Sequence, residues 1–161
     1  MEEENVMAAA PTLEDCHAIQ QILYRYCEIV DALDWDAMDE VFSENTVGIY
    51  NGMEVDGLAT LISSGKHNMS RNTVAATQHN ISNPRVSIVG DQMRCISNYY
   101  AVHFGAGSFA DKVCSMWGVY DDTFQRTADG WRIVRRDYTS TAIQGDERML
   151  FAGEAATWDA S

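Results

Sequence analysis

At 161 residues, 46% apolar and 22% charged, the chain has the size and composition of one globular domain with a substantial core. Its net charge of −13 argues against nucleic acid and anionic membranes as partners, since both require clustered Lys and Arg. The sequence contains no run of about 18 apolar residues, the length needed to span a bilayer.

Residues 1–11 are acidic, then Ala-rich, and end in Pro11, which reads as a flexible arm. The acidic start, Met1-Glu2-Glu3-Glu4-Asn5, lacks the basic flank and apolar stretch of a signal peptide, so a cytoplasmic location is the default expectation. Thr12 with Asp15 resembles a capping box and opens a helix. Apolar residues then recur at Ile19, Ile22, Leu23, Tyr26, Cys27, Val30 and Leu33, the spacing of one buried helical stripe. Asp34 can cap a second short helix through Trp35, Met38, Val41 and Phe42. Thr46 to Tyr50 reads as a strand, Asn51-Gly52 as a turn, and Asp56 to Ser64 as a third helix stopped by Gly65.

The second half changes character. Val74–Val89, Met93–Phe104, Val113–Phe124 and Trp131–Ile143 are β-branched and aromatic-rich, with Gly90-Asp91 and Ala128-Asp129-Gly130 as hairpin turns. Helices followed by a curled antiparallel meander make an α+β pattern, a cone with an open mouth. Residues 12–145 form the domain, and 146–161 a tail or a helix that caps the mouth.

Cys16, Cys27, Cys95 and Cys114 show no C-x-x-C pairing and read as four buried thiols. His17, His67, His79 and His103 lack ligand spacing, so neither a structural metal nor a cofactor is expected, while a metal site assembled from distant residues stays open.

Two side chains stand out, Asp31 at the end of the first helix and His79 within Thr77-Gln78-His79. A carboxylate that orients an imidazole makes a general base. Asp31 lies about 120° from the centre of the apolar stripe, so it reads equally as a solvated helix-end acid. A lone His in a strand is more often a hydrogen-bonded core residue, and residue type alone gives His79 that reading. Register decides whether His103 joins it. With Val89 facing Gln92, an unbroken hairpin sets His79 opposite Val102 and turns His103 to the other face. A bulge at Asn83-Pro84, where proline is best tolerated, pairs His79 with Ala101 and brings His103 to the same face. That bulge is the favoured reading. Tyr26, Tyr50 and Tyr120 are either core aromatics or the walls of a polar-spotted pocket. On the last strand, Arg132 and Arg136 are expected on one face and Arg135 on the other.

The run Ile22 to Met38, containing Tyr26, Asp31 and Trp35, resembles the opening of the SnoaL-like branch of the NTF2-like superfamily. So does Asp129-Gly130-Trp131-Arg132-Ile133 near the last strand. The resemblance spans roughly residues 12 to 143 and implies helices packed on a strongly curved, mainly antiparallel sheet. Thr77-Gln78-His79 is similar to the segment carrying the catalytic His of scytalone dehydratases, and Asp31 falls where that group has its paired Asp. Tyr50 and His103 fall near pocket positions there, and Tyr26 is similar to a Tyr of bile-acid 7α-dehydratases. Lindane dehydrochlorinase has a comparable Asp–His pair. Val30 replaces the scytalone dehydratase pocket Tyr, and Ser140 falls near a late Arg of the bile-acid enzymes, so the substrate is expected to differ from both.

The resemblance implies a cofactor-independent lyase. Asp31 and His79 are its catalytic pair, and Tyr26, Tyr50, His103 and Tyr120 its substrate contacts. The leaving group is water, halide or formaldehyde, lost from a small aromatic or polycyclic compound, with lignin-derived molecules among the candidates. The alternatives are an isomerase or hydrolase using the same cavity, and a non-catalytic partner like the β subunit of ring-hydroxylating dioxygenases. The resemblance also implies a homotrimer or homodimer.

Overall fold

The computed structural model describes residues 10–151. Nearly all of the arm expected at 1–11, and residues 152–161 of the expected tail, lie outside the described residues.

Helix α1 spans Leu13–Ala32. Thr12 caps it, its hydroxyl oxygen accepting the Asp15 N–H, as the sequence anticipates. Ile19, Leu23, Tyr26, Cys27, Ile29 and Val30 are its buried face. The helix ends in a Schellman arrangement: Leu33 N–H bonds to Val30 C=O and Asp34 N–H to Ile29 C=O, with Leu33 left-handed at φ 55°. Glycine usually fills that position, which is why the sequence signals no stop there.

The expected second helix is a 3-10 turn, Trp35–Glu40, and Asp34 makes no side-chain cap to it. Phe42, assigned to that helix from sequence, instead opens strand β1, Phe42–Tyr50. After the Asn51-Gly52 turn comes a short strand that the sequence did not signal, β2, Met53–Asp56. Helix α2 spans Leu58–Asn68, so it starts after Gly57 and runs through Gly65. Gly65 is there for another reason: a Cβ on it would meet the Trp35 ring at 2.4 Å.

Four long strands follow, β3 Val74–Val89, β4 Gln92–Gly105, β5 Val113–Thr127 and β6 Gly130–Gly145. They form one curved, open six-stranded sheet in the order β2-β1-β6-β5-β4-β3. Every pairing is antiparallel except β1 with β6. Period-two burial along β4 and β5 gives the sheet an inner face that packs on α1. A closing 3-10 turn, Glu147–Leu150, buries Met149 and Leu150 in the same core.

Bulges set what the inner face carries. Between Ser82 and Arg85 the β3–β4 register shifts, and His79 pairs with Ala101 as the bulge reading requires. A second shift between Thr123 and Phe124 separates Arg132 from Arg136. Arg136 therefore points inward with Trp131 and Ile133, and Arg132 does not share its face, correcting the sequence expectation.

Both ends of α1 are tied to the sheet. Asp15 accepts the Trp131 indole N–H at 3.2 Å and pairs with Arg126. At the other end, Arg71 donates to Ala32 C=O and to Ala75 C=O, both at 3.0 Å. Arg71 thus joins the last carbonyls of α1 to the start of β3, and it supplies the positive charge that the last turn of α1 lacks.

Candidate active site

Asp31 sits in the last turn of α1, where a carboxylate faces the negative end of the helix dipole. Its bonds offset that cost. Oδ1 accepts from His79 Nδ1 at 2.8 Å, and the two carboxylate oxygens accept the His79 backbone N–H at 3.0 and 3.1 Å. β3 is an edge strand, so that N–H faces away from β4 and is free to be taken. One carboxylate thereby fixes both the backbone and the ring of His79. An Asp that accepts at Nδ1 sets the tautomer: Nδ1 carries the hydrogen and Nε2 keeps its lone pair. Nε2 has no hydrogen-bond partner among the described residues. The His79 side chain is 8% exposed and that of Asp31 27%.

The sequence-predicted residues gather around this pair to differing degrees. His103 shares the inner face, its ring centroid 5.3 Å from that of His79 at an interplanar angle of 72°. Burial pushes the His103 pKa down to about 3, with His79 adding to the depression and Asp31 opposing it. Its Nδ1 lies 2.8 Å from Thr77 Oγ1. Tyr26 stands edge-on to His79, centroids 6.4 Å apart, and Tyr120 edge-on to Tyr26 at 5.7 Å. Burial raises the pKa of both phenols, so each stays a neutral O–H donor at ordinary pH. Tyr50 is farther along. It packs on Tyr138, which stacks on Tyr99, which stacks on Tyr120. The run of rings crosses the inner face from β3 to β1, and Tyr50 is at its far end.

Several members of the site escaped the sequence reading. Tyr138 is one, its hydroxyl 2.5 Å from that of Tyr99. Arg136 and Asp122 are others. They pair bidentately at 2.7 and 2.8 Å with both side chains fully buried. The Arg136 guanidinium carbon lies 4.1 Å from the Tyr26 ring centroid and 4.0 Å from that of Tyr120. Burial disfavours its charge, but Asp122 opposite holds it protonated. Its Nη1 has no hydrogen-bond partner among the described residues. A signal existed: Tyr120, Asp122 and Phe124 alternate, which places an acid on the buried face, where it requires a cation.

The space beside the dyad is an open cleft of about 370 Å³ between α1 and β3, lined among others by Cys27, Asp31, His79 and Ile81. The tyrosine rings that the sequence offers as pocket walls pack on one another and on Arg136 across the inner face. Among the described residues no helix is long and apolar enough to cross a membrane.

Known proteins share this architecture. The family profile of the SnoaL-like domain matches residues 11–137. An uncharacterised protein of Mycobacterium tuberculosis is 29% identical over 132 residues, covering 81% of this chain and 88% of that protein. A Novosphingobium aromaticivorans protein provisionally assigned as a scytalone dehydratase superposes with a TM-score of 0.74. It is 19% identical, over 82% of this chain and 87% of its own. The hexachlorocyclohexane dehydrochlorinase LinA-type3 of Novosphingobium barchaimii superposes with a TM-score of 0.71. It is 14% identical, over 83% of this chain and 91% of its own. At these identities the structural likeness speaks for the fold.

Proposed function

The chain belongs to the SnoaL-like domain family of the NTF2-like superfamily, and from that premise we propose that it is a lyase working through the Asp31–His79 pair. One observation carries the reading: a helix-end carboxylate, placed against its dipole, grips the ring and the backbone of a single histidine. Local and global preferences conflict at Asp31, and such conflicts concentrate at functional sites. The dehydratase and dehydrochlorinase names of two fold neighbours support elimination as the class of reaction.

In this reading His79 Nε2 takes a proton from a substrate carbon. The C–H electrons form a double bond as the neighbouring bond to the leaving group breaks. Asp31 stabilises the imidazolium that forms, and His79 then returns the proton to the departing group. Tyr26, edge-on to His79, supplies a neutral O–H for that group to lean on. A positioned acid–base group contributes about 10²–10⁴-fold, and oriented donors contribute further. The substrate class is small and aromatic or polycyclic, and water or halide is lost in this way. Where formaldehyde is released, His79 takes the hydroxymethyl O–H proton instead: the O–H electrons form the formaldehyde C=O, the C–C electrons form the double bond, and hydroxide leaves from the next carbon and takes the proton as water. The protein groups complete the reaction without metal or cofactor.

The test is a panel of aromatic alcohols, chlorinated rings and diaryl compounds, with products read by mass spectrometry. Loss of water, hydrogen halide or formaldehyde by the native protein, and its disappearance in His79→Ala, is the expected result. A product with the molecular formula of the substrate that gains deuterium when the reaction is run in heavy water would assign the pair to isomerisation instead, and addition of water would assign it to hydrolysis.

A further inference from the structure

Thr77 lies directly opposite His103 in the β3–β4 register and two residues before His79 on the same face. Its hydroxyl is 2.8 Å from His103 Nδ1. That contact has two possible polarities, and the surroundings choose between them. His103 is 2% exposed, and burial keeps its ring neutral, with one N–H to place. If that hydrogen sat on Nδ1, the Thr77 hydroxyl hydrogen would have no acceptor among the described residues. The rings of His79 and His103 would also share one tautomer, both with Nε2 as an acceptor. Neither could then donate to a departing atom until His79 had taken up the carbon proton.

We propose that Thr77 is a positioning residue whose hydroxyl donates to His103 Nδ1 and holds that ring as the neutral Nε2–H tautomer. The two imidazoles, 5.3 Å apart, then present opposite polarity, an acceptor from His79 and a donor from His103. Asp31 fixes the first and Thr77 the second. The proposal rests on the acid–base reading of the site. It adds that His103 Nε2–H hydrogen-bonds the leaving atom while His79 takes the carbon proton. His103 gains and loses no proton in the step. Thr77 suits the task because its β-branched side chain is stiff at χ1, which holds the hydroxyl in place.

The experiment is a two-bond proton–nitrogen correlation spectrum of the full chain labelled with ¹⁵N-histidine. His103 is expected to show a protonated Nε2 and a bare Nδ1 across the neutral range. Thr77→Ser keeps that pattern, and Thr77→Val shifts the proton to Nδ1 or mixes the tautomers. A protonated Nδ1 on His103 in the native protein, or an unchanged pattern in Thr77→Val, overturns the proposal. The same spectrum reports on His79 separately. If His79 Nδ1 is bare, the dyad reading fails whatever His103 does. With a substrate from the panel, Thr77→Val is expected to lower kcat by about 10²-fold with little change in KM, and Thr77→Ser to restore it.

Discussion

At the residue scale, His103 makes the folded protein sensitive to acid. Its folded-state pKa is depressed from the usual 6.5 to about 3, so the folded form holds it neutral. Below 6.5 the unfolded chain binds a proton that the folded chain refuses. The stability from this group is therefore present above 6.5 and is lost as pH falls from there towards about 3. Urea unfolding at stepped pH should show a fall of up to about 1.4 kcal/mol per pH unit from this residue. His103→Gln should flatten the slope by that amount, and identical slopes in the two proteins would contradict the account. Sequence alone named Asp31, His79 and His103 but left each with an ordinary reading, because neither helical phase nor strand composition shows what a side chain touches. Thr77 and Tyr138 were illegible for the same reason. Their importance lies in one hydroxyl contact each, to His103 and to Tyr99.

At the element scale, the fold was legible where periodicity is long and strong. Helix α1 and the four long strands fall within a few residues of their expected bounds. The errors fall on short elements and on glycine. The strand β2 has four residues, too few for alternation to register. Gly65 reads as a stop because glycine usually ends helices, yet here it lets the Trp35 ring approach α2, a tertiary reason that no local pattern contains. This gives a prediction of definite sign. On propensity alone, Gly65→Ala in mid-helix would stabilise by roughly 1 kcal/mol. Its Cβ would instead meet Trp35 Cε3 at 2.4 Å, and the indole is tied down by its N–H to Met69 C=O. Gly65→Ala should therefore destabilise, by about 1–3 kcal/mol in urea unfolding. A stabilised variant would show that the ring is free to move. The Asn83-Pro84 bulge is the element on which the site depends. One extra residue there sets His79 opposite Ala101 and on the face of His103, and proline marked the place in the sequence. The bulge on β6 had no proline to mark it, and Arg136 was misplaced as a result.

At the scale of the whole molecule, the two faces of the sheet differ in kind. The inner face packs against α1 and carries the run of aromatic rings. The outer face carries Tyr100 packed on Trp117, with Phe104 and its register partner Val113 nearly half exposed. An apolar patch on so acidic a chain is expected to be covered by a second copy, giving a dimer or trimer. Light scattering should return a multiple of the 18.0 kDa chain mass, and Phe104→Glu should lower it; a native monomer would contradict this. The proposed function rests at this scale on α1 delivering Asp31 to the edge strand that carries His79. The most direct test of that claim is turnover by Asp31→Asn on the first substrate found in the panel. The account predicts a loss of about 10²–10⁴-fold in kcat, because Asn can neither fix the Nδ1–H tautomer as an anion nor stabilise the imidazolium. Full turnover in Asp31→Asn would contradict it.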